Sequence, residues 1–127
     1  RMLHIGRGRR DGAPSGLRSA TTTGQVWSDI LLDSGGARAN QMFFPAGGRT
    51  HWHTHPGGQM LYTIAGEGWI QERGGERVTL HPGDVVWTDP GVEHWHGATD
   101  TNLLVQLVLH FGDVEWTGPV ADEDYAP

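Results

Sequence analysis

Apolar and β-branched residues come along this chain in short runs, cut by glycine, proline and aspartate, and within several runs they alternate with polar residues. Successive side chains of a strand point to opposite faces, so this pattern predicts strands. The candidates are residues 25–32, ended by Asp33-Ser34-Gly35-Gly36; 40–44, stopped by Pro45-Ala46-Gly47-Gly48; 50–55; and 59–65, closed by Gly66-Glu67-Gly68. Residues 69–73 and 77–80 read as a hairpin joined through Gly74 and Gly75. A turn at His81-Pro82-Gly83-Asp84 leads into 85–88, and Asp89-Pro90-Gly91 turns the chain toward His94. Residues 101–111 form the longest β-like run, free of glycine and proline, and no helix of three turns is evident. Short strands with regular turn signals predict an all-β, double-sheet jelly roll.

At 127 residues the chain is expected to be a single domain. Residues 1–24, rich in Arg, Gly, Ser and Thr, read as an arm, mobile or docked on a neighbouring subunit. The barrel is expected over 25–117, and an acidic tail containing Asp122, Glu123 and Asp124 over 118–127. With no cysteine, disulfides and thiolate chemistry are excluded. A formal charge of −6 argues against a nucleic-acid partner. All nine basic residues are arginine, which reads as a base-composition bias of the source rather than as chemistry. No apolar run approaches the ~20 residues of a membrane span. The basic start has no apolar stretch behind it and does not read as a secretory signal, so a cytoplasmic protein with no membrane partner is expected.

The chemistry gathers at His53-Thr54-His55-Pro56-Gly57-Gly58-Gln59 and at Glu93-His94-Trp95-His96. On a strand His53 and His55 share a face, a Pro-Gly-Gly turn can bring the Gln59 amide back beside them, and His94 adds a distant third imidazole. That donor set suits one divalent transition metal; zinc, manganese, iron, nickel and cobalt all accept it, zinc being placed first. In 101–111, alternation puts Leu104, Gln106, Val108 and His110 on one face and Leu103, Val105, Leu107, Leu109 and Phe111 on the other. A polar lumen explains the first set, since an unpaired buried imidazole or amide is costly. His110 and Gln106 are therefore candidate catalytic groups around a small-molecule substrate, joined by His96, which shares a face with His94, and by Asp89 in the turn beside that segment. His51 is read as pocket-lining or surface, and a further metal contact from His51 or His110 stays open. The purely apolar second face needs cover, and a homodimer is expected to supply it.

These residues also carry a resemblance. The first cupin motif places a glycine, a His-x-His pair, a glutamate and a closing glycine at fixed spacings. Gly47, His53, His55, position 59 and Gly66 fall on them, with Gln59 in place of the usual Glu. Gly83, Gly91 and His94 match the second motif, while Asp89 stands where its proline belongs and Pro90 sits one place late. The chain thus resembles a small single-domain cupin over about residues 40–112.

The run from Trp52 to Gln59, with residues 83–87 and 94–98, is similar to small bacterial cupins that include hydroxynitrile lyases with three histidines and one glutamine at the metal. Cupin cyclases of aromatic polyketide pathways share the architecture. In the lyases a histidine is expected at position 106, where this chain has Gln106. The resemblance and the neutral ligand set together imply a Lewis-acid enzyme for enolate or aldol-type carbon–carbon chemistry on a small carbonyl compound. Cyclisation of an aromatic polyketide is the leading expectation. A hydroxynitrile lyase, a non-haem metal dioxygenase and a non-enzymatic ligand-binding cupin are the alternatives.

Overall fold

The structure, a computed structural model, describes residues 2–127. Its strands run in chain order β1 (Gly16–Leu17), β2 (Thr22–Thr23), β3 (Trp27–Ser34), β4 (Ala37–Phe44), β5 (Arg49–Thr50), β6 (Trp52–Thr54), β7 (Gln59–Gly66), β8 (Gly68–Glu72), β9 (Val78–Leu80), β10 (Val85–Thr88), β11 (His94–Ala98), β12 (Leu104–Phe111) and β13 (Glu115–Gly118). A short helix, α1 (Asp122–Tyr125), closes the chain. One antiparallel sheet has the order β1-β3-β4-β12-β7-β10. The other has β13-β6-β11-β5-β2, with β8 pairing both β11 and β9. This is the all-β, two-sheet architecture that the alternation predicts.

The apolar core lies between the sheets. Met42, Phe44, Leu61, Leu104 and Val108 of the first sheet pack with Ile70, Leu80 and Ala98 of the second. The alternation of β12 is literal: Leu104, Gln106, Val108 and His110 are buried, and the residues between them less so. β12 lies between β4 and β7, so Gln106 and His110 enter the lumen from the centre of the first sheet.

Every residue of β11 is buried, because its second face is covered too. Trp95 packs with Trp52, Trp69, Val120 and Tyr125 in a separate aromatic cluster. The end of the chain is held there by the Tyr125 hydroxyl, which donates to the Ala98 carbonyl at 2.6 Å, and by Arg49, which pairs with Asp122 and lies 4.3 Å over the Tyr125 ring. Gly97 is required at this crossing, since a Cβ there would run into the backbone of Gly48 and of Arg49 at the start of β5.

The region expected as one strand over 50–55 is divided at His51, whose N–H donates to the Thr21 carbonyl. The residues read as an arm supply two short strands of this chain's own sheets: β1 pairs with β3 and β2 with β5. Their two-residue length carries no periodicity that a sequence could display.

Candidate metal centre

Three elements present the polar cluster. β6 carries His53 and leads into His55; a turn closed by Gly58 N–H donating to the His55 carbonyl returns the chain to Gln59 at the head of β7. Gly58 has φ +84°, and a side chain there would strike Trp87, so the turn depends on glycine. β11 brings His94 directly opposite His53. The ring centroids of His53 lie 4.9 Å from His55 and 4.4 Å from His94, and those of His55 and His94 are 5.7 Å apart.

The hydrogen bonds define which ring nitrogens are free. His53 Nδ1–H donates to the His51 carbonyl at 2.8 Å, and His94 Nδ1–H donates to the Val92 carbonyl at 3.0 Å. A carbonyl can only accept, so each ring carries its proton on Nδ1 and presents a bare Nε2 lone pair. Backbone carbonyls commonly orient metal-bound imidazoles in this way. The break at His51 therefore has a use, since it aims the carbonyl that holds His53.

The Nε2 atom of His94 lies 2.8 Å from Gln59 Oε1. Burial lowers the His94 pKa, which keeps the ring neutral at pH 7. Two lone pairs then face each other at hydrogen-bond distance with no proton between them. A cation relieves that arrangement. Donors at right angles on a metal with bonds of about 2.1 Å would be about 3 Å apart, close to the observed spacing.

His55 points to the same need. It is buried, and neither ring nitrogen has a hydrogen-bond partner within the protein. Burial, followed by the nearby His110 and His94 rings, holds its pKa down to about 3. Burial likewise pushes His53 well below its ordinary value and His96 down to about 3. The cluster is neutral at pH 7, which is the form that binds metal.

Two triads of imidazoles compete for the ion. His53, His94 and His96 have donor nitrogens within 4.8 Å of one another. The sequence pattern points instead to His53, His55 and His94 with Gln59. Contiguity favours the second set: the His53 ring lies 4.9 Å from His55 edge-on and 4.4 Å from His94, against 5.6 Å from His96, and Gln59 lies beside both His55 and His94. His96 Nδ1–H donates to Gln106 Oε1 at 2.8 Å, which leaves its Nε2 free as in His53 and His94, so distance and not tautomer separates the two sets. The His96 ring is stacked on that of His94 with centroids 6.1 Å apart.

A cavity of about 210 Å³ opens on one side of the cluster. His53, His55, Gln59, His96 and His110 line it, with Met42, Val108, Val114 and Trp116 as its apolar wall. The His110 ring lies 4.8 Å from His55, and its Nδ1 is buried without a partner. Burial is the main reason its pKa is lowered. His51, read as pocket-lining or surface, is half-buried and contributes its carbonyl to His53.

Asp89 does not join these groups. It is exposed, accepts from Trp87 Nε1–H at 3.0 Å, and borders a different hollow shared with Glu72, Glu76 and the far side of His94. Trp87 is itself on the outer surface and draws the carboxylate with it. Sequence reasoning missed Arg18, Arg38, Asn40 and Trp116 as cavity residues. The alternation of β4, which turns Arg38, Asn40 and Met42 to one face, held the signal for Arg38 and Asn40. Arg18 and Trp116 lie on short segments without such a pattern.

Comparison with known proteins agrees with this architecture. The family model Cupin_2, described as cupin domain, matches residues 40–111. A cupin-like protein from Thermotoga maritima superposes with a TM-score of 0.83 at 36% identity, over 98% of this chain and 94% of that one. An RmlC-like cupin family protein with a double-stranded beta-helix fold from Methanocaldococcus jannaschii, at 15% identity, shares the fold with a TM-score of 0.66 over 88% of this chain and 93% of that chain. A protein named (R)-mandelonitrile lyase from Granulicella tundricola is 55% identical over 64 residues. That match spans 50% of this chain and 49% of the relative's length.

Proposed function

The chain belongs to the cupin domain family, which its residues 40–111 match, and from that premise we propose that it is a carbon–carbon lyase of the hydroxynitrile type, acting reversibly on a small carbonyl compound. The observation that carries the reading is the neutral cluster of imidazoles and one amide on the wall of a small, half-apolar cavity. The half-length similarity to a protein named (R)-mandelonitrile lyase supports it. A cavity of about 210 Å³ falls below the roughly 300–1,000 Å³ of pockets for drug-sized ligands. That favours a compact carbonyl compound over the folded polyketide chain expected from the resemblance.

A divalent ion held by His53, His55, Gln59 and His94 would supply Lewis acidity toward the substrate oxygen. The remaining work falls to side chains. Met42, Val108, Val114 and Trp116 exclude water and seat the apolar part of the substrate. Gln106 fixes the His96 ring through its Nδ1–H. His110 Nδ1, buried and unpartnered, accepts the hydroxyl proton of the cyanohydrin. As the carbonyl forms, the carbon–carbon bond breaks with its electron pair leaving on cyanide, and the proton held at His110 is returned to give hydrogen cyanide. Addition is the reverse.

The test is release of cyanide from mandelonitrile by metal-analysed protein, in air and without oxygen. Release at equal rates under both conditions is expected, and His110→Ala should lower turnover by about 100-fold or more at unchanged metal content. Metal-replete protein that releases no cyanide above the buffer rate would refute the proposal. Consumption of substrate only in oxygen would move the reading to a dioxygenase.

A further inference from the structure

The cavity has a cationic side that the lyase reading leaves unused. Its lining includes Arg18 and Arg38 and no aspartate or glutamate among the described residues. Arg38 sits on β4 directly opposite His110 on β12. It bonds Asp33 through two nitrogens, the nearer at 2.7 Å, and is half-exposed. Arg18 is the freer charge. Its one side-chain partner is the Ser28 hydroxyl at 3.4 Å, and it makes no ion pair among the described residues. Arg18 is half-buried between this cavity and a smaller hollow that holds Asp29, with which it forms no ion pair, so its charge is left without a bonded complement. Asn40 lies on the same sheet face beside these groups, with its amide oxygen buried and unpartnered. It offers an acceptor for a hydroxyl.

We propose that the cavity takes an anionic substrate, a small carbonyl or hydroxy compound carrying a carboxylate, with the carboxylate held by Arg18 and Arg38 and the reacting carbon turned toward His110. This deepens the lyase reading and rests on it for the reaction, while the binding claim stands on the arginines. Guanidinium and carboxylate match in planar, two-pronged geometry, and such charge-assisted bonds are the stronger class. A neutral ligand would leave the Arg18 guanidinium without an anion, while Arg38 keeps Asp33.

The experiment compares two probes of the same shape, mandelate and mandelamide, by calorimetric titration of the metal-loaded full chain. Mandelate is expected to bind about tenfold tighter than mandelamide or better, as a charge-assisted bond predicts. Arg18→Gln should erase most of that preference, Arg38→Gln part of it, and neither should change mandelamide binding; Arg18→Lys should restore a portion. Added sodium chloride should weaken mandelate alone in the unaltered protein, a readout that does not depend on any variant folding. Equal binding of the two probes would overturn the proposal, and so would a preference that survives both glutamine variants, which direct chelation of the hydroxy acid would then explain. Cyanide release is scored separately. A mandelate preference without cyanide release sinks the lyase reading alone, and release without the preference sinks this one alone.

Discussion

Binding of a divalent ion should stabilise the fold by a calculable amount, and the histidine that abolishes the effect identifies the third imidazole donor. An ion at a hundred times its Kd contributes about 2.7 kcal/mol if it binds only the folded chain. For 127 residues, at about 2.1 cal/mol/K per residue, the unfolding entropy is about 0.27 kcal/mol/K, so Tm should rise by about 10 °C. The perturbation is His55→Ala against His96→Ala, each melted by scanning fluorimetry with the ion and with a chelator. Comparing each variant with itself cancels the packing lost with the ring. His55 has two orphaned nitrogens and contacts Gln59, so its removal should shrink the shift to a degree or two. The His96 ring lies farther off, 5.6 Å from His53 and 6.1 Å from His94, and its loss should leave most of the shift in place. The reverse outcome would assign the ion to His53, His94 and His96 and overturn the contiguity argument. No shift with zinc, manganese, iron, nickel or cobalt would refute metal binding at this cluster altogether.

Two further outcomes are expected. Burial chiefly raises the Tyr125 pKa from 10.0 to about 12, so the fold favours the neutral phenol; the stability this contributes is full below pH 10 and lost as pH rises toward 12. Urea midpoints should fall across that window in the unaltered protein and fall less in Tyr125→Phe, and parallel curves would refute the assignment. The outer face of the first sheet leaves Trp27 41% and Trp87 52% exposed, with Leu103 just before β12 52% exposed, and a homodimer joined there is expected. Sedimentation showing a monomer at micromolar concentration would end that expectation.

The alternation in residues 101–111 told which side chains of β12 enter the lumen, because the two-residue period is rigid and one face is wholly apolar. The hairpin through Gly74 and Gly75 was legible for a similar reason: β8 and β9 pair locally, and the glycines mark the turn. The Gly58 turn was visible in Pro56-Gly57-Gly58, and the structure has Gln59 beside both His55 and His94. Other features depend on partners far along the chain. The break at His51 is decided by Thr21, and β13 exists through its pairing with β6. Neither leaves a periodic trace of its own. Asp89 drew attention by standing in the proline position of a motif, but its neighbour in space is Trp87, two residues back on an outward face. Parity could not separate His94 from His96 either, since residues two apart on β11 share a face. The spacing of the histidines names the cluster; the tautomers held by the His51 and Val92 carbonyls say which atoms point into it.

The signs of charge connect the proposed reaction with the proposed substrate. The whole chain carries −6, yet the cavity is lined by neutral imidazoles and two guanidiniums, of which Arg38 is paired with Asp33 outside the lining, and no carboxylate lines it among the described residues. A divalent ion bound to a neutral donor set would add charge of the same sign. Such an interior favours species that become or remain negative: a departing cyanide, an enolate, a bound carboxylate. It disfavours a cation at the same place. A substrate whose reaction builds positive charge would be opposed by every fixed charge in the cavity, whereas one that builds negative charge is met by groups already in position. The replacement of the usual cupin glutamate by Gln59 acts in this direction, because a carboxylate there would cancel one positive unit next to the reacting atoms. Gln59→Glu should therefore hold a divalent ion at least as firmly while weakening mandelate binding and slowing cyanide release. Unchanged turnover in Gln59→Glu with full metal content would show that the sign of the cavity is not what selects the chemistry.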